Sequence, residues 1–390
     1  MKKRLEEVLI LAILLTAFFK VYMASVLKEA SFYKKLEAGK VKCLLCPHHC
    51  IIDPGKSGIC RVRKNIGGKL YALTYAHPVA VAIDPIEKKP LFHYLPGTPI
   101  LSLAAVGCNM RCLGCQNWRI AMAHPNEVES IFLPPEGVVK VALQKKVPSV
   151  AFTYTENSVW YEYMYDIARL CKETCITEVM HYGNFVATFE SRLHTISITN
   201  GYLEKEPLKE ILPYLDAANV DVKYFDEEKY EKYTLGDLKT ILENIKIMKE
   251  AGVWVELTYL VVPTVNDDTE EIKAFCEWVK KLDSAIPVHF TRFFPAYKLR
   301  YLPVTPYKTL QKCYRIAKKV GLEYVYIGNI PGVPEEDTYC PRCGKKLIDR
   351  DGYWIKDVHL KFKLIRGEND RKVLKAYCPY CGYQIKGVWR

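Results

Sequence analysis

Residues 101–115 read LSLAAVGCNMRCLGC, and this stretch joins an apolar run to a loop that contains three cysteines. Residues 101–106 have the composition of a buried strand, and Gly107 ends the run. The loop places Cys108, Cys112 and Cys115 in the spacing C-x3-C-x2-C. Loops at the carboxyl ends of parallel strands are where α/β barrels carry their chemistry. The stretch therefore predicts a barrel strand that leads into a metal-binding loop.

Three thiolates at this spacing can bind three irons of a [4Fe–4S] cluster, since Cys thiolates are the usual ligands of such clusters. A cluster with three protein ligands keeps one iron open to another ligand, as catalysis at a metal requires. If S-adenosylmethionine (SAM) binds that iron, one electron from the cluster can cleave its C–S bond to a 5′-deoxyadenosyl radical, which abstracts hydrogen from carbon. From the residues alone, unrelated thiols and a zinc site completed by a distant ligand stay open as alternatives.

Short apolar runs alternate with longer charged stretches from residue 100 to about residue 331. The strand-like runs cover residues 101–106, 150–153, 196–199, 220–222, 253–262, 288–290 and 324–327. The helix-like stretches include residues 207–215, 238–251, 270–282 and 310–320. This alternation predicts right-handed parallel βαβ units with ligands at the strand carboxyl ends. The predicted fold class is α/β, a partial (βα) barrel with a small N-terminal Cys module and a C-terminal zinc ribbon.

The chain divides into four predicted parts. They are an apolar N-terminal extension (residues 1–27), a Cys-rich module (28–99), a core partial barrel (100–337) and a zinc-ribbon-like tail (338–390).

The apolar segment at residues 8–27 has three interpretations. It could be a membrane or interfacial anchor, although Lys20 within it costs about 3 kcal/mol on insertion scales. It could be a packed helix, or a dispensable extension of a protein whose translation starts at Met23. The expected location is the cytoplasm, with this segment as the one candidate for membrane association.

Composition indicates a globular chain, with 49% hydrophobic and 26% charged residues among 390. The net charge of +12 would attract nucleic acid, anionic lipid or an acidic partner, but we favour a lysine-rich solvated surface. Eleven of the fifteen cysteines fall into three groups with metal-ligand spacing, which indicates a reducing compartment rather than a disulfide scaffold. The other four, Cys171, Cys175, Cys276 and Cys313, are expected to be buried in helices.

A second cysteine group precedes the core and consists of Cys43, Cys46, Cys50 and Cys60. Four thiolates make a closed site, which suits either zinc or an auxiliary [4Fe–4S] cluster, and the sequence leaves both open. His48 and His49 could replace one of the thiolates.

The third group forms two matching C-x2-C-G motifs, Cys340 with Cys343 and Cys378 with Cys381. Paired motifs of this kind predict a zinc ribbon, because four thiolates can fold a tail that is too small to bury its own core. Basic residues alternate with apolar ones between the motifs. They could form a nucleic-acid face, but we favour the solvated side of strands.

The chain resembles the radical SAM superfamily, and within it the AmmeMemoRadiSam-system enzymes, which are related to pyruvate formate-lyase activating enzyme. The resemblance covers residues 28–390. Its carriers are CLLCPHHC at 43–50, GCNMRCLGCQNW at 107–118, ITNGY at 198–202, NVDVK at 219–223 and YCPRC at 339–343.

This resemblance implies roles for individual residues. Cys108, Cys112 and Cys115 would ligate the SAM-cleaving cluster. Glu156, in the segment TYTE at 153–156, stands in place of the Gly-Gly-Glu motif that binds the SAM amino group, with a helix-start carboxylate as the alternative. Later strand ends carry further candidates for contact with SAM or substrate: Asn200, Asp221, Lys223 and His289, the last of which could equally be structural.

Three departures from the family pattern bear on the site. Gly114 stands where an aromatic residue usually lies against the adenine, a role that Leu113 or Trp118 could take. Residues 176–195 look like an insertion, either a substrate lid or a plain loop on the barrel rim. Asn157 stands where the family often has Pro.

The predicted function is that of a radical SAM enzyme with an unknown substrate. Its predicted partners are an electron donor such as ferredoxin or flavodoxin, and AMMECR-like and Memo-like proteins. A glycyl-radical-enzyme activase is the alternative within enzymes. A non-catalytic iron–sulfur and zinc protein that binds RNA through its ribbon is the alternative from another class.

Overall fold

The computed structural model describes residues 27–182, 185–366 and 372–389. The interpretations of the apolar segment at residues 8–27 concern a part of the chain that, apart from residue 27, lies outside this description. Within the described residues, every helix is too short or too polar to cross a membrane.

An eight-stranded sheet organises the chain, and its strands lie side by side in the order in which they occur in the sequence. The first strand is antiparallel to the second and the other pairs are parallel. The strands are β1 Ala80–Pro85, β2 Pro99–Ala104, β3 Ser149–Phe152, β4 His194–Thr199, β5 Ala217–Asp221, β6 Trp254–Val261, β7 Val288–Arg292 and β8 Val325–Gly328. This is the α/β partial barrel that the alternation predicts, and each of the seven predicted strands is present.

Helices connect the parallel strands and cover the sheet. They are α1 Trp118–Ala121, α2 Pro135–Gln144, α3 Tyr161–Glu173, α4 Lys205–Ile211, α5 Glu227–Thr234, α6 Leu238–Glu250, α7 Thr269–Asp283 and α8 Tyr307–Val320. Aspartates cap the starts of α5, α6 and α7, each accepting a backbone N–H of the first turn. Gly321 ends α8 at φ +105°, a backbone conformation that glycine adopts without strain. Local sequence therefore sets where these helices begin and end.

Two small sheets form the N-terminal module. One pairs Lys28–Glu29, Lys69–Ala72 and Arg63–Ile66, and the other pairs Tyr33–Lys35, Val41–Cys43 and Ile51–Ile52. Strand β1 lies within the range predicted for the N-terminal module, but it is an edge strand of the large sheet. The two small sheets of the module therefore end before Ala80, because residues 80–85 pair with β2 in the large sheet.

The inserted segment is a β-hairpin, Cys175–Tyr182 with Phe185–Arg192. It follows α3 and precedes β4, so it leaves the barrel at the amino ends of the parallel strands. Interpreting it as a lid is wrong, since ligands bind at the opposite ends. Cys175 begins this hairpin and is exposed, unlike Cys171, Cys276 and Cys313, which are buried in helices as expected.

The C-terminal tail packs on the hairpin and on the amino end of the barrel. Its strands are Thr338–Tyr339, Lys346–Asp351, Trp354–Val358, Lys361–Arg366, Lys372–Tyr377 and Gln384–Ile385. The Phe362 ring stacks on Tyr182 at 4.8 Å between centroids, and the Tyr182 hydroxyl donates to the Trp389 carbonyl at 3.0 Å. The tail thus shares a hydrophobic cluster with the hairpin and with residues of the barrel strands.

A buried polar network fastens the tail to the barrel. Glu256 of β6 accepts the backbone N–H groups of Phe92 and His93 at 3.0 and 2.8 Å. The His93 ring contacts the Lys386 carbonyl through Nδ1 at 2.7 Å and the Tyr326 hydroxyl through Nε2. Burial lowers the pKa of His93 to about 4. His93 therefore stays neutral at pH 7 and links barrel to tail.

We expect His93 to make the fold acid-sensitive. A histidine whose folded pKa is depressed contributes stability above its unfolded pKa of about 6.5, and this contribution is lost as the pH falls towards 4. Between pH 7 and pH 5, the wild type should lose about 2 kcal/mol more stability than His93→Gln. Thermal unfolding at both pH values measures this. The matched control is His359→Gln at an exposed histidine, and an equal pH dependence in wild type and His93→Gln would contradict the assignment.

Candidate active site and metal centres

A cavity of about 310 Å³ opens at the carboxyl ends of the parallel strands. This volume is in the range of small-molecule sites. Seven residues proposed from the sequence line it together: Cys108, Cys112, Cys115, Glu156, Asn200, Asp221 and Lys223. Residues that are far apart in the chain meet here because parallel strands end at the same edge of the sheet.

The cysteine loop is held between the N-terminal module and α5. Gly107 has φ +103°, and a Cβ there would lie 2.7 Å from a Val62 methyl and 2.9 Å from the Cys60 carbonyl oxygen, so only glycine fits. On the other side, Arg111 N donates to the Thr234 carbonyl at 2.8 Å. The loop is thus positioned by backbone contacts on both sides.

The thiols of this loop suit a metal cluster. Burial raises the pKa of the Cys115 thiol to about 12 and raises those of Cys108 and Cys112 as well. Thiols in such surroundings become thiolates when a bound cation supplies the positive charge. The donor set therefore fits the metal cluster that the spacing predicts.

Gly114 lies on the cavity wall under two apolar side chains. A Cβ at this position would lie 3.2 Å from both the Leu299 and the Phe293 side chains. A large aromatic residue at 114 would therefore displace the segment that covers the loop. Among the described residues that line the cavity, neither Leu113 nor Trp118 occurs, and the Trp118 ring instead stacks on Tyr297.

Glu156 is buried at the end of β3 and joins two strand ends. Its Oε1 accepts from Ser158 N at 3.0 Å and Thr199 Oγ1 at 2.8 Å, and its Oε2 accepts from Asn200 N at 2.7 Å. Burial raises the pKa of Glu156, and these hydrogen bonds oppose the rise. Oε2 accepts from Asn200 N, and a carboxylate oxygen can accept a further hydrogen bond from a ligand.

Asn200 connects the β4 end to the cysteine loop. Its Nδ2 donates to Asn109 Oδ1 at 2.9 Å and lies 3.8 Å from the Cys108 sulfur. Its Oδ1 accepts Tyr202 N at 2.9 Å. Hydrogen bonds to cluster sulfurs are among the factors that set cluster potential, so this amide is well placed to act on the cluster.

Asp221 and Lys223 form an ion pair of 2.8 Å at the end of β5. Burial opposes the charge on Lys223, but the neighbouring Asp221 carboxylate holds its pKa well above the usual range. The site therefore presents an ammonium and a carboxylate side by side to a ligand.

His289 does not join this group. It lies inside the barrel, where its Nε2 contacts Glu256 Oε2 at 2.7 Å and its ring stacks on Tyr326. Only 1% of its side chain is exposed. The predicted contact of His289 with SAM or substrate is wrong, because the second residue of β7 points into the network that anchors the tail.

Other residues of the cavity were not predicted. Lys88, Lys89 and Tyr154 also line it. The Lys89 Nζ and the Tyr154 hydroxyl both bind Asp84, at 2.7 and 2.5 Å. Burial lowers the pKa of Lys89 to about 8, an effect that Asp84 opposes. The sequence marks the region around Asp84 and Lys89 only by two X-Pro turns, and such turns do not predict a cluster of polar side chains.

The contacts of Asn157 account for the presence of asparagine where the family often has proline. Its buried Nδ2 donates to the carbonyls of Phe152 and Ile198, both at 3.1 Å. These bonds hold β3 against β4, a role that a proline without side-chain donors cannot fill.

The four C-terminal cysteines form a compact group. Their sulfurs all lie within 4.8 Å of one another, with Cys340–Cys381 at 3.5 Å and Cys343–Cys378 at 3.6 Å. Two thiolates on one tetrahedral zinc ion are about 3.8 Å apart, given Zn–S bonds of about 2.3 Å. The backbone N–H of Lys345 lowers the pKa of Cys343 to about 7, which favours the thiolate. The group fits a single metal ion, and zinc is the proposed one.

Changing Cys343 to Ser should lower the zinc content by one equivalent per chain and leave the iron content unchanged, because it removes one of four ligands of a single ion. Metal analysis of the purified protein measures both. The matched control is Cys175→Ser, which changes an exposed cysteine outside the three groups. An unchanged zinc content, or a loss of iron, would contradict the zinc assignment.

Comparisons with known proteins identify several that are similar to this chain. The family model described as Radical SAM superfamily matches residues 103–276. The uncharacterized protein MJ0808 of Methanocaldococcus jannaschii is 43% identical over 92% of this chain and 99% of its own length. The pyruvate formate-lyase-activating enzyme of Clostridium pasteurianum is 26% identical over 45% of this chain and 67% of its own. A radical SAM methyltransferase structure from Sphaerobacter thermophilus has a TM-score of 0.44 at 11% identity, covering 80% of this chain and 81% of that one.

Proposed function

The chain belongs to the radical SAM superfamily, and on that basis we propose that Cys108, Cys112 and Cys115 hold the [4Fe–4S] cluster of a SAM-cleaving enzyme. When bound, this cluster supplies the electron that cleaves SAM to a 5′-deoxyadenosyl radical, which then abstracts hydrogen from a substrate. The proposal depends on one observation: the three cysteines and four polar residues at strand ends line the same cavity.

Glu156 is proposed to bind the amino group of SAM. Its carboxylate is oriented by donors from Ser158, Thr199 and Asn200, so it needs little reorganisation when a ligand binds. An ammonium that approaches Oε2 would make a charge-assisted hydrogen bond, the stronger kind.

The Asp221–Lys223 pair is proposed to orient the rest of the ligand. Lys223 can donate to a carboxylate or a hydroxyl, while Asp221 can accept from hydroxyl groups. Both line the same cavity as Glu156, at the end of a different strand. Leu260 and Val262 add apolar surface to the wall, which excludes water from a radical reaction.

Radical SAM enzymes need a one-electron donor of low potential. For this chain we propose a ferredoxin or a flavodoxin. AMMECR-like and Memo-like partners stay predictions, and contact of the basic tail with nucleic acid stays the alternative that we do not favour.

A second candidate is the activation of a glycyl-radical enzyme. It is favoured by relatives that are named activating enzymes, for pyruvate formate-lyase and for 4-hydroxyphenylacetate decarboxylase of Clostridium scatologenes. In that case the substrate would be a polypeptide loop that enters the cavity from its open side. A glycyl-radical electron paramagnetic resonance (EPR) signal in a partner enzyme, dependent on this protein and SAM, distinguishes this candidate from action on a small molecule.

Replacing Cys108, Cys112 or Cys115 by Ala should abolish the formation of 5′-deoxyadenosine from SAM under dithionite, because each change removes one ligand of the cluster. Chromatography of the reaction products measures this. Cys276→Ala, at a buried cysteine outside the three groups, is the matched control. Wild-type product formation in any of the three variants would refute the assignment.

Glu156→Gln should weaken SAM binding roughly ten- to hundredfold, since a charge-assisted hydrogen bond contributes about 1.5–3 kcal/mol. Titration of SAM against the reconstituted variant measures the affinity, and iron analysis should show an intact cluster. Glu271→Gln is the matched control: Glu271 is also a buried carboxylate that accepts a backbone N–H, from Phe225, but it lies outside the cavity. Wild-type affinity in Glu156→Gln would show that the carboxylate only caps the turn after β3.

A further inference from the structure

The cysteines of the N-terminal module surround one narrow cavity. Cys43, Cys46, Cys50 and Cys60 all line it, together with His48, Arg63 and Asn109. We propose that these four cysteines bind a second [4Fe–4S] cluster, closed by four protein ligands, rather than a zinc ion.

Sulfur spacing separates this site from the C-terminal one. We searched for sets of three or more metal-binding side chains whose ligand atoms all lie within 4.8 Å of one another. Among the described residues, the four C-terminal cysteines are the one set that meets this limit. No three of the N-terminal sulfurs are that close, whereas two sulfurs on one zinc ion stand about 3.8 Å apart. In a cubane each thiolate binds a different iron, so the sulfurs stand farther apart. The wide spacing around a shared cavity therefore fits a cluster.

A buried donor without a partner indicates that this cavity holds a hydrogen-bond acceptor. The Arg63 guanidinium is buried and pairs with Glu162 through two bonds of 3.0 Å, and its Nη2 also donates to the Ser31 carbonyl. Its Nε, in the described structure, is buried without a hydrogen-bond partner. Such an orphaned buried donor destabilises the fold unless something accepts it. A sulfur in the cavity that Arg63 lines, either a cluster sulfide or a ligating thiolate, would accept this N–H.

The site adjoins the first cluster loop. His48 Nε2 contacts the Asn109 carbonyl at 2.8 Å, and Asn109 directly follows Cys108. Asn109 lines the N-terminal cavity, and its Oδ1 accepts from Asn200 of the SAM cavity. One residue therefore touches both sites, while Cys46 and Cys50 are half-buried towards the surface.

This position suits one-electron transfer. A cluster with four protein ligands has no open iron for SAM, so its role would be to take one electron from the low-potential donor and release it to the cluster at Cys108. No atom is transferred in this step. This role rests on the proposed function, but the presence of the second cluster does not.

The test uses the full chain with Cys108, Cys112 and Cys115 all changed to Ala, reconstituted anaerobically with iron and sulfide. We expect about four irons and four labile sulfides per chain, since one cubane remains. Its dithionite-reduced EPR spectrum should not change when SAM is added. A colourless protein with zinc but no labile sulfide would overturn the proposal.

Two further variants and the wild-type protein keep the test decisive. Adding Cys46→Ala and Cys50→Ala to that variant should remove the iron, whereas adding Cys276→Ala should not, and iron that persists without Cys46 and Cys50 would overturn the proposal. If the first variant fails to fold, wild type answers the same question, with about eight irons per chain for two clusters and about four for one. Failure of the proposed function would appear separately, as a wild-type spectrum that does not respond to SAM.

Discussion

The buried carboxylate of Glu156 is the interaction on which the geometry of the site depends. Its two oxygens accept hydrogen bonds from the β3–α3 turn and from the end of β4, which holds the two strand ends together. Asn200, positioned by this carboxylate, then reaches the cysteine loop through Asn109. A single desolvated acceptor thus links the candidate SAM contacts to the candidate cluster loop.

At the opposite end of the barrel, the buried carboxylate of Glu256 links several segments in the same way. It accepts from β6 itself through Trp254, from the segment before β2 and from His289. Burial alone would raise the pKa of Glu256, but the hydrogen bond from His289 lowers it. Because His93 in this network also binds the tail, the amino end of the barrel is closed by packing. Ligand access is therefore left to the carboxyl end, where the cavity opens.

The three cysteine groups show how packing distinguishes sites of similar composition. The C-terminal sulfurs are drawn together by two matching turns, in which the Gly344 and Gly382 N–H groups donate to the first cysteine carbonyl of each motif. The N-terminal sulfurs come from strands and loops of a small sheet and enclose a cavity that Arg63 lines. The cysteines after β2 line a larger cavity beside polar strand ends. Burial and neighbours, rather than the number of thiols, indicate a different role for each group.

The sequence alone determined the strand–helix alternation, the three cysteine groups and the approximate position of each barrel strand. These features depend on local periodicity and spacing, which a linear chain carries in full. It also predicted that Glu156, Asn200, Asp221 and Lys223 lie near one another, because the carboxyl ends of parallel strands meet at the same edge of the sheet.

Only the tertiary structure decided which strand-end residues face the cavity and which face the core. His289 lies near the start of β7, so its side chain belongs to the Glu256 network, a distinction of a few residues that apolar runs do not resolve. The Asp84–Lys89 ion pair and the packing of Tyr182 in the hairpin on Phe362 in the tail are not marked by any motif. Such contacts arise from the packing of whole elements, and single-chain patterns of residues carry no record of them.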